Sequence, residues 1–128
     1  MTYGEGAFHR WLGLELLGNG EDRARTRLAP RPEFLQEEGV VQGGVLSALA
    51  DATAVYALVP RLGPERGLTS VEFKLNFLRA AVLEGGPLEG DAEVVRAGRT
   101  LAVCRARLRQ GEHDVAEGLF TYLFLARP

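Results

Sequence analysis

One stretch of the chain is almost entirely apolar. It runs from Gly43 to Pro60, and Asp51 is its single charged residue in eighteen positions. A membrane span needs about 20 apolar residues, and a carboxylate near its centre costs roughly 2.5–3.5 kcal/mol. We therefore interpret the stretch as the buried helix of a soluble domain. Because it is apolar nearly all round, we expect a curved sheet, a partner protomer or both to enclose it.

Upstream of this helix, the pattern predicts a short helix and a hairpin. Phe8, Trp11 and Leu12 have helical spacing within residues 6–12, which we expect to pack as a flap. Residues 14–17 and the strictly alternating residues 23–28 predict two strands, the second with its arginines facing outward. The cluster Gly18-Asn19-Gly20 predicts the turn between them.

Downstream of the helix, four strands are predicted at 68–78, 87–97, 100–110 and 115–126, arranged as an antiparallel meander. The first alternates apolar with polar residues, so one of its faces is expected to be core. Small residues line one face of the third strand, which would let a helix lie close to the sheet. The last strand is apolar on both faces, which indicates a central strand or an assembly surface.

This order of elements predicts an α+β fold, with an antiparallel β-sheet wrapped around one long central helix. The 128 residues, 46% hydrophobic and 25% charged, suit a single domain over residues 1–128. The net charge of −2 provides no electrostatic footprint for nucleic acid, so we expect no such partner. One cysteine and two distant histidines predict neither a disulfide scaffold nor a metal cluster. Residues 1–6 lack the features of a signal peptide, and we expect a cytoplasmic protein without membrane attachment.

Asp51 is the ionisable residue that stands out in this pattern. An unpaired carboxylate among apolar residues is costly. Asp51 either points to an exposed edge of the helix, accepts backbone hydrogen bonds from a loop, or lines a partly dry cavity. In the last case it would act as a general base or nucleophile, because desolvation raises the basicity of a carboxylate.

Gly43 and Gly44 open the same helix. Glycine there lets a ligand approach the free N–H groups of the first turn, where an oxyanion can be stabilised, although two glycines also allow simple close packing. Gly43 and Asp51 are eight residues apart, a rise of about 12 Å. That gap is long for a single carbonyl, whereas a second helix alongside would bring the amides of one protomer to the carboxylate of the other.

Two segments resemble the hotdog-fold acyl-CoA thioesterases. They are VQGGVLSALADATA at residues 41–54 and SVEFKLNFLRA at residues 70–80, and they are most similar to the phenylacetic acid degradation type, related to 4-hydroxybenzoyl-CoA thioesterase. The resemblance implies a sheet wrapped around one helix and a homodimer with active sites at its interface. It also implies a cytoplasmic homotetramer, as a dimer of dimers, that hydrolyses an acyl- or aryl-acetyl-CoA. No cofactor is implied beyond the coenzyme A of the substrate.

The resemblance also implies roles for individual residues. Asp51 would be the general base or nucleophile, the Gly43 amide would polarise the thioester carbonyl, and Ser70 and Gln36 would help to position water in the same region. Gln42, Gly44 and Arg99 would bind substrate, the last through the phosphates of coenzyme A, although a turn arginine is also commonly just solvated.

The chain departs from the family motif His-Gly-Gly, because Gln42 stands in the histidine position. Glutamine can donate a hydrogen bond but cannot titrate. Two other functions stay open: a hotdog dehydratase, which needs a histidine that this motif does not supply, and a non-catalytic acyl-CoA binding or sensing protein. Cys104 is expected in the core, and His9 and His113 at the surface.

Overall fold

The computed structural model describes residues 6–127. Residues 1–5, which carry most of the expectation about a signal peptide, lie outside the described residues. The elements are α1 (Ala7–Leu12), β1 (Glu15–Gly20), β2 (Arg23–Leu28), α2 (Gly43–Leu58), β3 (Arg66–Phe77), β4 (Leu88–Ala97), β5 (Leu101–Gln110) and β6 (His113–Ala126). The six strands form one antiparallel sheet in the order β1-β2-β4-β5-β6-β3. The prediction of an antiparallel sheet around one long helix is confirmed.

The long helix α2 lies against the inner face of this sheet and packs mainly on β4, β2 and β5. With the turn that follows, Gly43–Arg61 is long and apolar enough to cross a membrane, but half of it is buried in the fold. The small inner residues of β5 make this close packing possible: Ala102, Cys104 and Ala106 are at most 1% exposed. The segment therefore has the packing of a core helix.

The predicted four-strand meander is wrong in its first strand. β4, β5 and β6 do form a meander, but β3 pairs with the far side of β6 and lies at the edge of the sheet. The chain runs from α2 into β3 at one edge of the sheet. The connection from β3 to β4 then passes over the end of the sheet, beside β5. Gln110 holds that connection, since its side chain bonds to the backbone of Val82 and Gly86.

The prediction that one face of β3 belongs to the core is also wrong within a single chain. Phe73 stacks on the buried Phe120, with ring centroids 4.9 Å apart, so its side chain is on the helix side of the sheet. However, α2 covers β2, β4 and β5 and leaves β3 at the open edge. Val71, Phe73 and Phe77 are consequently half exposed, at 55%, 50% and 54%.

The first hairpin turns later than predicted. β1 continues through the glycine cluster, with a bulge between Leu16 and Gly18, and the reversal falls at Glu21 and Asp22. Both of these residues have positive φ, 53° and 65°, which is the geometry that matches the twist of a two-residue hairpin. The glycine cluster therefore lies within β1, next to the bulge at Leu17, and not in the turn.

The outer face of the sheet is charged, as predicted for the alternating arginines. Each exposed arginine of β5 faces a carboxylate on a neighbouring strand: Arg105–Glu93, Arg107–Glu117 and Arg109–Asp114. Exposed ion pairs of this kind contribute little to stability individually. They nevertheless make this face polar, so that the opposite, apolar face of the sheet is the one that packs on α2.

Candidate active site

Asp51 lies on the side of α2 that its own sheet leaves uncovered. Val45, Ala48 and Val55, at helical spacing on either side of it, are half-buried, and so is Asp51 itself. This half-exposed apolar stripe lies next to the uncovered face of β3. The carboxylate is therefore at an apolar opening in the protomer and not on a solvated outer surface.

Tyr122 donates a hydrogen bond to the Asp51 carboxylate. Its hydroxyl is 2.7 Å from Oδ1 and 3.3 Å from the backbone oxygen of the same residue. Tyr122 is 1% exposed, and burial, followed by the negative charge of Asp51, raises its pKa above the usual value. The phenol thus stays protonated and donates. The carboxylate meets a buried hydroxyl, and within residues 6–127 it accepts no backbone N–H from a loop.

Ser70 is brought beside this pair by the sheet register. It lies directly opposite Tyr122 in the β3–β6 ladder, and directly opposite residues of an antiparallel pair project to the same face. A bulge at Val71 follows immediately and shifts the register. Ser70 is exposed because β3 is the sheet edge. Asp51, Tyr122 and Ser70 therefore form one group on the open side.

Gly43 and Gly44 form a second group at the start of α2. The Gln42 carbonyl accepts the N–H groups of Val45 and Leu46, which leaves the N–H groups of the two glycines without an acceptor in the described chain. No side chain caps this end. A Cβ on Gly43 would lie 3.2 Å from the Phe77 ring, so the first turn of α2 sits against the C-terminal end of β3.

Gln42 and Gln36 lie in the loop that leads into α2. Gln42 is exposed and bonds through its backbone N–H to Phe34. Gln36 is half-buried, and its Oε1 accepts the N–H of Glu38, which leaves its side-chain NH2 free to donate. The structure thus places both glutamines near the helix start and not near Asp51 of the same chain.

Arg99 lies in the exposed β4–β5 turn, at the opposite end of the protomer from Gly43. Its neighbour Thr100 accepts the N–H of Phe124, which is two residues beyond Tyr122 on β6. Arg99 is therefore on the Asp51 side of the molecule. No group of three or more potential metal ligands is found in the part of the chain that the structure describes.

Within residues 6–127, no cysteine or histidine side chain hydrogen-bonds to Asp51. Cys104 is 0% exposed, and burial raises its pKa to about 12, so the prediction of a core thiol is confirmed. His113 is exposed at the start of β6, as predicted. His9 is half-buried, with its ring 6.4 Å from that of Tyr56, so the prediction of a surface position is only partly correct.

A family model described as the thioesterase superfamily matches residues 38–117, more than half of the chain. The match includes the start of α2, Asp51 and Ser70. The chain belongs to the thioesterase superfamily. The expectations of a hotdog fold and of an enzyme, a hydrolase, are thereby confirmed.

Individual relatives of this thioesterase support the assignment. A Deinococcus radiodurans protein named "Putative esterase" is 33% identical over 109 residues, which are 85% of this chain and 71% of that protein. The solved structure of a conserved protein from Pseudomonas aeruginosa is 33% identical, with a TM-score of 0.87 and 94% of each chain covered. A phenylacetic acid degradation-related protein from Ralstonia eutropha JMP134 is 26% identical, with a TM-score of 0.85 over 91% of this chain and 89% of that one.

Sequence reasoning missed Tyr122. It predicted the β6 strand and its apolar character but singled out no polar group on it. The available signal was that a buried tyrosine usually finds a partner for its hydroxyl. The lone carboxylate of the thioesterase's central helix was the natural candidate for that partner.

Proposed function

We propose that this thioesterase hydrolyses an acyl- or aryl-acetyl-CoA to the free acid and coenzyme A, with Asp51 as general base or nucleophile. One observation carries the proposal: the Asp51 carboxylate is half-buried on an apolar stripe of α2, and the first N–H groups of α2 are unpaired in the described chain. As a base, Asp51 takes a proton from the water that adds to the thioester carbon. As a nucleophile, it forms an anhydride that water then opens.

The Gly43 N–H is the proposed donor to the oxyanion that forms in either route. Preorganised backbone donors at developing negative charge are worth about 10²–10³ in rate. The C–S bond then breaks and the thiolate of coenzyme A leaves and takes up a proton. Gly44 and Gln42, at the same helix start, are the proposed further contacts to substrate, and Ser70 and Gln36 position the water. This chemistry needs no metal ion and no prosthetic group.

Two copies of the chain are needed to assemble this site. Within one copy, the helix separates Gly43 from Asp51 by about 12 Å along its axis. The Asp51 group lies beside Ser70 and the Gly43 group beside Phe77, at the two ends of the exposed edge of β3. If β3 pairs antiparallel with β3 of a second copy, so that Ser70 lies opposite Phe77 of that copy, the Asp51 group of each chain lies beside the Gly43 group of the other. The dimer then contains two such sites.

The exposed side chains of β3 support this homodimer. An edge strand with half-exposed apolar residues is a template for pairing with another chain. We further propose a dimer of dimers, with the exposed Leu119 and Leu125 on the outer face of β6 as the second contact surface. The free, buried Cys104 and the coenzyme A substrate suit the cytoplasm, where we propose that the protein acts.

The acyl group is proposed to be aryl-acetyl, because of the likeness to the phenylacetic acid degradation-related protein. Arg99 is the proposed contact to the phosphates of coenzyme A, from the turn on the Asp51 side. An Arg99→Ala variant should raise KM for acyl-CoA and leave kcat with a short-chain thioester that lacks the nucleotide unchanged.

The test is thiol release from a panel of acyl- and aryl-acetyl-CoA substrates by the wild type, Asp51→Asn and a matched control, Asp114→Asn on the charged outer face. A thiol reagent suits the assay, because the single cysteine is buried. Loss of activity in Asp51→Asn alone supports the proposal. Equal activity of all three proteins would refute the role of Asp51, and saturable binding without thiol release by the wild type would favour a binding or sensing protein.

A further inference from the structure

Tyr122 makes a contact that nothing in the proposed reaction requires. Its hydroxyl lies 2.7 Å from Oδ1 of Asp51, the distance of a charge-assisted O–H···O⁻ bond. Its ring is 1% exposed, so it cannot itself touch substrate in this protomer. Within the described residues, no other side chain donates to this carboxylate.

We propose that Tyr122 is a positioning residue that holds Oδ1 of Asp51 and leaves Oδ2 directed at the thioester or at water. The inference rests on the proposed function, because it assigns Tyr122 a role through Asp51. A tyrosine suits this role, since its buried ring has few rotatable bonds and its hydroxyl is held in one place.

Few titratable groups surround Tyr122 and Asp51 in the described residues. On β5, the register neighbour of Tyr122 is the small, buried Ala102, and the nearby titratable group is Cys104, which stays protonated because burial raises its pKa to about 12. On β3, the register neighbour is Ser70, which does not titrate in this range. On α2, Asp51 is the only ionisable side chain besides the buried Tyr56.

The first experiment compares Tyr122→Phe with Tyr56→Phe, a matched control that removes the hydroxyl of another buried tyrosine. We expect Tyr122→Phe to lower kcat about 10- to 100-fold, the range that a hydrogen bond to a charged group supports, with KM within about threefold. Tyr56→Phe should match the wild type in both kcat and KM.

A double variant separates positioning from a structural role. If Tyr122 acts through Asp51, Tyr122→Phe causes no further loss in the Asp51→Asn background. An equal loss in both backgrounds, or a wild-type kcat in Tyr122→Phe, would overturn the inference while leaving the role of Asp51 in place. Wild-type activity of Asp51→Asn would overturn the proposed function itself.

A conservative replacement covers the case in which Tyr122→Phe does not fold. Site-specific 3-fluorotyrosine at position 122 keeps the hydroxyl and nearly the same volume, and its more acidic phenol is a stronger donor. Because the donor to Oδ1 of Asp51 is kept, kcat should stay within about threefold of the wild type. A kcat lowered about 10- to 100-fold in this variant would overturn the inference.

Discussion

A buried pair of hydroxyls sets the position of α2, and with it the position of Asp51. Thr26 on β2 and Thr53 on α2 are both 0% exposed, and their hydroxyl oxygens are 2.7 Å apart. Thr53 also donates to the Leu49 carbonyl at 2.7 Å. Because that contact uses the single hydroxyl proton of Thr53, Thr26 must be the donor between the two threonines. A Cβ on Gly90 of β4 would lie 2.6 Å from the Thr53 oxygen, so the strand can come this close only as glycine.

This assignment of donor and acceptor predicts unequal costs for two isosteric substitutions. Thr53→Val removes two hydrogen bonds and leaves the buried Thr26 hydroxyl without an acceptor, which should lower the unfolding free energy by about 2–3 kcal/mol. Thr26→Val removes one hydrogen bond and leaves the Thr53 proton satisfied, which should cost about 1 kcal/mol. In the double variant no hydroxyl is left unpaired, so its loss should be smaller than the sum of the two single losses.

The assay is urea denaturation at one fixed protein concentration, since oligomerisation makes apparent stability depend on concentration. All four proteins should unfold with the same dependence on urea, so that midpoints report stability alone. A Thr26→Val loss equal to or larger than that of Thr53→Val would refute the proton assignment. Additive losses would refute the coupling of β2 to α2 through this pair.

Three further predictions concern the interface, the oxyanion donor and alkaline stability. Phe73→Asp should convert the proposed dimer to a monomer in size-exclusion chromatography and abolish thiol release, because two-fold symmetry brings two like charges into one interface, while Leu16→Asp on the opposite edge strand should leave both properties unchanged. Gly43→Pro should lose about 100-fold in kcat relative to Gly43→Ala, because both add a Cβ beside Phe77 but only proline removes the N–H. Finally, the unfolding free energy should fall as pH rises from 9 toward 12, because burial raises the pKa of Cys104 to about 12 in the folded state and the unfolded chain therefore loses this proton first. In urea titrations at several pH values, Cys104→Ala should make this fall less steep. An unchanged pH dependence in Cys104→Ala would contradict the prediction.

The fold was predictable wherever one chain decides the burial. The α2 stretch is apolar on nearly every side, and β5 carries its small residues on one face, so local pattern and burial agree. β3 was not predictable in the same way. Its alternation predicts a buried face, but its own helix does not bury that face. In the proposed homodimer a second copy would bury it, and a pattern that depends on a second copy cannot be interpreted from one chain.

The candidate site also contains residues that the sequence predicts and residues that only the three-dimensional packing reveals. Asp51 and Gly43 stand out in the sequence, because a lone carboxylate in an apolar helix is costly and a glycine at a helix start leaves N–H groups open to a ligand. Tyr122 does not stand out, since its strand is apolar on both faces and only the packing of α2 against the sheet brings Asp51 to its hydroxyl. The hairpin turn was misplaced for a local reason: a Gly-Asn-Gly cluster is typical of a turn, but here it lies within β1 and the reversal uses Glu21 and Asp22.

The central claim is that each active site combines Asp51 of one chain with the helix start of another. Mixing two inactive variants tests it most directly. Proline is well suited to the first position of a helix, and Gln42 before it already has the extended conformation, φ −57° and ψ 136°, that a following proline requires. Gly43→Pro should therefore fold, and compared with Gly43→Ala it loses only the amide donor, while Asp51→Asn loses the charge of the carboxylate.

After joint refolding of Asp51→Asn and Gly43→Pro chains in equal amounts, half of the dimers contain one chain of each kind. In these mixed dimers, one of the two sites receives an intact Asp51 and an intact Gly43, so the mixture should recover about a quarter of the wild-type activity per chain. Activity no higher than the average of the two separate variants would contradict a site shared between chains.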